Sequence, residues 1–453
     1  MNKSAFGAIF TFVLFLLLGT AAIAATRTTS QSGNWSASST WGSNPAPVAG
    51  DDVIINGGFA VTVDVSDAAC LSLQLGGSTL GTGSGTLVFS SGSALTVSGG
   101  VTVGVTNNTP GNLTMTDGGT FTCEGFFLNK LGTWTPGTGT IKLTVTNTLP
   151  NNSSIAFNNL TLSGGTTSLA RNVTFGGNLA IDPGAALDCG TNTLTEGGDL
   201  INNGTFSGGS GTVIFSKDGN QSITGTGTNN FNLIRLNMGA SIGNTLEVAA
   251  GNFSAPDNFL TLSNGTFKLS ETFAFANTFI TGPSYNIQPT AGLWINNPNA
   301  TVTAQAGGVS IRGMLRVSAG TVNIGTGIDN SLDYVAGSSI VMEGGALNIA
   351  GRLTRNNATA TTSYTQSGGT VTVVGQGSTD VTFAGFDLGA AGSSFTMSGG
   401  TLVVRNATSA PSDYLNVSST ASVTGLRPPR STMPTRFKPT GIWQRGSLVL
   451  PSE

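Results

Sequence analysis

Histidine, the side chain most often used to move protons near neutral pH, does not occur in this 453-residue chain. Its absence removes the Ser-His-Asp and Cys-His arrangements and every His-ligated metal site. Acid–base work would fall to 21 carboxylates. Asp51-Asp52 is the only adjacent acidic pair, and Asp182/Asp188 and Glu196/Asp199 are further close pairs. Asp51-Asp52 reads as a turn entering the strand Val53-Ile54-Ile55, and Asp182 lies in Asp-Pro-Gly, a turn sequence. Cleaving a glycosidic bond takes two carboxylates facing each other across it. Coiled β-folds assemble such pairs from neighbouring coils, which linear spacing does not reveal. Calcium loops of the EF-hand or Gly-Gly-x-Gly-x-Asp type are missing, and no glycine-rich phosphate loop leads into a helix. No residue is therefore assigned to catalysis, to a cofactor or to a metal, and no cofactor is expected.

Cys70, Cys123 and Cys189 are odd in number, far apart and outside any zinc spacing. They read as small buried hydrophobes, with one bridge plus a free thiol as the other arrangement. Only 9% of residues are charged, against about 25% in ordinary globular chains. There are 66 glycines, the hydrophobic fraction is 38%, and Val, Ile and Thr recur throughout. That mixture suits short strands and tight turns rather than disorder. A net charge of −3 supplies no basic field for nucleic acid or for an anionic membrane.

The elements that would position any site are repeats. One motif occurs as Gly83-Ser-Gly-Thr-Leu-Val-Phe89, Gly137-Thr-Gly-Thr-Ile-Lys-Leu143 and Gly209-Ser-Gly-Thr-Val-Ile-Phe215. The second and third copies have partners, Phe157-Asn-Asn-Leu-Thr-Leu162 and Phe231-Asn-Leu-Ile-Arg-Leu236, starting 20 and 22 residues later. A second motif starts at Gly265, Gly320, Gly345, Gly369 and Gly400, at spacings of 55, 25, 24 and 31 residues. A period near 25, doubled in the longest gap, predicts a coiled solenoid. In Thr370-Val371-Thr372-Val373 the apolar side chains share one face and the hydroxyls the other. So short a strand buries nothing alone; stacking the next coil about 4.8 Å above closes its hydrogen bonds and builds a core. Asn-Asn pairs at 107, 151, 158, 202, 229, 296 and 356 suit the corners and could stack into side-chain ladders. The fold class is all-β: a single-stranded parallel β-helix, expected to be right-handed. A sandwich array would repeat every 90–100 residues or so and a propeller every 40–50 or so.

The ends differ from the middle. Lys3, the apolar run Phe10 to Leu18 and Ala22-Ile23-Ala24 have the order of a secretory signal peptide, cleaved after Ala24. The apolar run is shorter than the roughly 20 residues that span a bilayer. Residues 25–80 read as an N-terminal cap, residues 81–424 as the repeats, and residues 425–453 as an irregular tail. The tail holds Arg427, Arg430, Arg436, Lys438 and Arg445 and five of the 16 prolines. Trp35 and Trp41 near the open end could close the solenoid or offer an aromatic platform to a sugar.

Gly33-Asn34-Trp35, Thr40-Trp41 and Gly50-Asp51-Asp52-Val53-Ile54-Ile55 resemble the opening of G8-like domains in exported bacterial surface proteins. The repeats Phe-Asn-Asn-Leu-Thr-Leu and Thr-Met-Ser-Gly-Gly-Thr look like those of large β-strand-repeat, adhesin-like surface proteins. The resemblance implies a secreted or cell-surface location, in an outer-membrane context, and an adhesive or scaffolding role. It carries over no catalytic residue. Proteins of that kind usually end in a translocation or sorting module, which this chain does not show. The functional expectation is an exported structural or adhesive repeat protein that holds glycans or other surface polymers. The alternative is a β-helix polysaccharide lyase or hydrolase.

Overall fold

A computed structural model describes residues 24–77, 83–105, 110–125, 127–129, 132–149, 157–272, 284–304, 308–375, 384–405, 415–417, 423–424 and 447–449. These residues form a β-solenoid in which every described strand pairing is parallel. One face is unbroken. It runs from Ala68–Cys70 through Thr140–Leu143, Leu200–Asn202 and Thr245–Val248 to Ser394–Met397 and Val423–Thr424. Two further strands complete each coil. The stack exceeds a dozen turns, so at about 4.8 Å per turn the rod is upwards of about 60 Å long. The only described helix is the 3-10 turn Ser38–Trp41. Among the described residues, no helix is long and apolar enough to cross a membrane.

Alternation of period two sets the core. In Ala60–Val63 the two valines are buried, and in Thr140–Leu143 and Thr370–Val373 the apolar residues are buried and the residues between them half-buried. Inward positions stack residue upon residue. Tyr364 lies on Phe395 with ring centroids 5.2 Å apart and planes 5° apart. A chain of aromatic contacts runs through Phe206, Phe231, Phe253, Phe259 and Phe267.

The repeats map onto coils. Thr140–Leu143 carries the strand of the Gly137 motif, and its partner strand Asn159–Leu162 sits directly upon it. Leu233–Asn237 sits in the same way upon Thr212–Phe215. Thr321, Ala346, Thr370 and Thr401 follow one another in a single column. The copy at Gly265 belongs elsewhere. It pairs with Ala291 on the neighbouring column, so the 55-residue gap is a change of face and not two turns of one column. Coil length is also less regular than a period of 25: it is 19 residues between Thr140 and Asn159 and 33 between Leu353 and Phe386. Corners absorb the difference, because the paired strand segments keep their length.

The motif glycine has a steric cause. Gly345, Gly369 and Gly400 adopt φ of +62°, +68° and +79°. A Cβ at Gly345 would stand 2.2 Å from the Gly320 carbonyl oxygen of the coil below. Only glycine tolerates both demands cheaply.

The ladder crosses residue 80 without a break, since Ala60–Val63 pairs with Gly85–Phe89. Within the segment expected to be an irregular tail, Ser447–Val449 pairs with Thr401–Val404; its five basic residues lie outside the described residues.

Candidate functional site

At the lower end the coil must be closed, and two tryptophans do this. Trp35 and Trp41 are each 1% exposed, with rings 5.4 Å apart at 75°. The Trp41 indole N–H donates to the Trp35 carbonyl at 2.8 Å. In chain order the Ser38–Trp41 turn takes the place of the third strand of the lowest coil. Both rings are spent on the core, and neither is open to a sugar.

The carboxylates singled out by spacing are dispersed into separate roles. Asp51 is buried and accepts hydrogen bonds from the backbone N–H groups of Ala25 and Val48 and from the Arg27 guanidinium, 3.0 Å away. Burial works against its charge, but those donors outweigh it and hold the carboxyl below its ordinary value. Asp52 accepts the Ser72 hydroxyl at 2.5 Å. Asp188 accepts the N–H of Gly190 and Asp199 that of Ser222. Glu196 faces inward between Phe175 and Phe215 of the adjacent coils. One of its oxygens accepts the Gly198 N–H; the other, Oε2, is buried with no hydrogen-bond partner. Burial pushes this carboxyl well above the ordinary range. Cys70, Cys123 and Cys189 are buried free thiols, as expected of small hydrophobes.

Asparagines do link the coils, amide to amide between Asn202 and Asn229 at 3.0 Å, and elsewhere by a side-chain oxygen that accepts a backbone N–H. The Asn159 side-chain oxygen accepts the N–H of Asn178, and that of Asn178 accepts the N–H of Asp199. Each link ties a corner to the next coil. Another amide-to-amide link lies on an outer face, where Asn348 donates to Asn323 at 2.9 Å.

Two charged groupings were not read from the sequence. The first is internal to the fold. Asp387 is fully buried and faces Arg355, with Nε to Oδ1 at 2.9 Å and Nη2 to Oδ2 at 3.2 Å. It also accepts from the N–H groups of Ala384 and Gly389 and from the Asn416 amide. Its own carbonyl accepts the Tyr334 hydroxyl at 2.7 Å from two coils below. So many donors mark a clamp between coils, not a carboxylate free to react.

The second grouping lies on the outside of the unbroken face and is the best candidate for contact with a ligand. Glu247, Lys268, Trp294 and Arg316 occupy the same column in four successive coils. Lys268 Nζ lies 4.5 Å, and the Arg316 guanidinium 3.8 Å, from the indole centroid. Glu247 pairs with Lys268 at 2.8 Å and Glu343 with Arg316 at 2.8 Å. The Trp294 N–H donates to Ser318 Oγ, which in turn bonds to Glu343. The hydrogen bonds from Lys268 and Ser270 hold Glu247 below its ordinary value. Glu343 is held down too: burial opposes its charge, and Ser318 and Arg316 outweigh it. Both faces of the indole are covered by cations, so a sugar cannot stack on it. What remains is a stiff row of charged heads and one aromatic edge. Aligning the x position of Thr-Phe-Lys-Leu, Gly-Leu-Trp-Ile and Met-Leu-Arg-Val would have found this row.

No family model matches the chain, and neither a curated protein nor a solved structure is significantly similar to it.

Proposed function

We infer that the chain is an exported rod whose work lies in its length and outer surface: a structural or adhesive element at a cell surface that holds glycans or similar polymers. The observation that carries this reading is the repetition of small polar groups along the outside at the coil spacing. Thr303, Asn323, Asn348 and Thr372 form one such column, and Thr96, Thr122 and Thr161 another, interrupted by Lys142. Columns of hydroxyls and amides about 4.8 Å apart offer a flexible polymer many weak contacts at once, and affinity then grows with the number engaged. The signal-like leader and the G8-like opening support export to a surface. Nucleic acid is not a partner on this reading, since the chain carries a net charge of −3.

The test is co-sedimentation of the purified chain, residues 25–453, with a panel of insoluble and immobilised polysaccharides, with soluble products assayed in parallel. Retention that weakens when the polymer is shortened, without release of sugar ends, supports the adhesive reading. Release of reducing or unsaturated ends would replace it with a lyase or hydrolase.

A further inference from the structure

The lowest coil ends on a contact made at one particular peptide unit. The Ala25 N–H donates to Asp51 Oδ1 at 3.0 Å, while the other oxygen of that carboxylate serves Arg27 and Val48. The Ala25 carbonyl accepts the N–H of Asp52 at 2.9 Å, and Thr26–Thr28 then runs on as the first strand. Ala24 is exposed, and Ala25 is half-buried. Independently, Ala22-Ile23-Ala24 places a small-x-small cleavage signal so that the residue released is Ala25. The atom that would become a new chain terminus is the one already held by a buried carboxylate.

We propose that hydrolysis of the Ala24–Ala25 peptide bond during export creates an α-ammonium group that ion-pairs with Asp51, so that processing itself completes the lower end of the rod. The proposal rests on the export reading above. The step is an ordinary hydrolysis by a membrane-bound signal peptidase. Water adds across the C–N bond, the hydroxyl goes to the Ala24 carbonyl carbon and a proton to the departing nitrogen. Near neutral pH that nitrogen holds three protons and a full charge. Before cleavage the described cation at Asp51 is Arg27. Afterwards a second cation stands beside the same carboxylate. Among the described residues Cys70 also faces these carboxylates; it is a buried thiol pushed upward by burial first and then by Asp52 and Asp51, so it stays neutral.

The pH dependence follows. An α-amino group has an ordinary pKa of about 7.7–8.0. A carboxylate beside it raises that value in the folded state. The added stability is therefore complete below the ordinary value and lost as pH rises through the raised one. Asp51 acts at the other limit: its depressed value means that its contribution is present above the ordinary carboxylate range and lost in acid.

The full chain with its leader is expressed in a bacterial host, and the exported product is weighed intact. A first residue of Ala25 is expected. Purified chains starting at Ala25 are then compared with a free and with an acetylated α-amino group. Acetylation keeps the N–H donor and removes only the charge. Hydrogen exchange of the amides at residues 26–29 is expected to be about three- to tenfold slower in the free form at pH 6–7. The two forms should converge above about pH 10, and Asp51→Asn should abolish the difference. A chain retained with its leader uncut ends the export reading and the proposal with it. Export with a different first residue leaves the export reading standing and overturns the proposal. Equal exchange in free and acetylated chains also overturns it, even if Asp51→Asn fails to fold.

Discussion

Glu196 is the residue whose type least suits its place. It interrupts an aromatic column, with Phe175 below and Phe215 above, and one of its oxygens has no partner. Burial disfavours its charged form, so its folded pKa is raised. For a carboxyl shifted upward, stability is fully present in acid and is lost as pH rises through the raised value. Glu196→Gln keeps an acceptor for the Gly198 N–H and cannot ionise. The two proteins should be equally stable near pH 4. By pH 9 the variant should be more stable by about 1–3 kcal/mol, the scale of an unsatisfied buried polar group. Denaturant melts at the two pH values measure this, and parallel pH profiles would refute it. The thiols behave differently, because burial keeps them neutral; it pushes Cys189 up to about 12, with Asp188 adding to the shift. Cys70 and Cys123 share a column with Val97 between them. Their backbones are about 10 Å apart, beyond the span of a disulfide. All three thiols should resist alkylation in the native protein and react together in denaturant. Counting labels by mass spectrometry decides it, and rapid native labelling of any one would show that its coil opens.

At the scale of strands and corners, what the sequence reveals depends on whether a feature stays within one coil. Alternation within Thr370–Val373 is local, so the buried face was legible. The pairing of Thr140–Leu143 with Asn159–Leu162 was legible too, because a short, regular coil preserved the motif. Gly265 misled because the motif marks a type of corner, and the same type occurs on two faces. The row through Lys268, Trp294 and Arg316 was hidden because its members are 26 and 22 residues apart, too uneven for any fixed period. Asp387 and Arg355 were hidden for the same reason, at 32 residues. The motif glycine gives the prediction belonging to this scale. Gly369 has φ +68°, and an added Cβ would lie 2.5 Å from the Gly344 carbonyl oxygen. Gly369→Ala is therefore expected to destabilise by about 1–3 kcal/mol. Gly50→Ala, where nothing lies within 4 Å of the added carbon, should be nearly neutral. Paired thermal melts test the contrast. Equal effects would mean that the corner relaxes freely.

For the whole molecule, the controlling idea is that each coil touches mainly the coils above and below, so stability is a sum of near-neighbour terms. Such a rod should survive the loss of one complete coil if the register is respected. Residues 179–199 are one coil, since Leu179 pairs with Leu200. Their removal joins Asn178 to Leu200 and lets Leu160, now below Leu200, take the place of Leu179. Phe175 then meets Phe215, the positions that Glu196 separates. Asn178 moves into the register of Asp199, and its side-chain oxygen can accept the Ser222 N–H that Asp199 now takes. The Gln221 amide, which donates to the carbonyls of Glu196 and Gly198, finds those of Phe175 and Gly177 instead. The contacts of Phe215, Ser222 and Gln221 across the cut thus each have an equivalent one coil down. The shortened chain is expected to keep its β-sheet circular dichroism, to melt cooperatively, and to lose about 5 Å from its longest dimension in solution scattering. Removing ten residues instead would put apolar side chains out of column, and that chain should aggregate. If both deletions behave alike, the coils are not interchangeable units, and a function carried by rod length loses its physical basis.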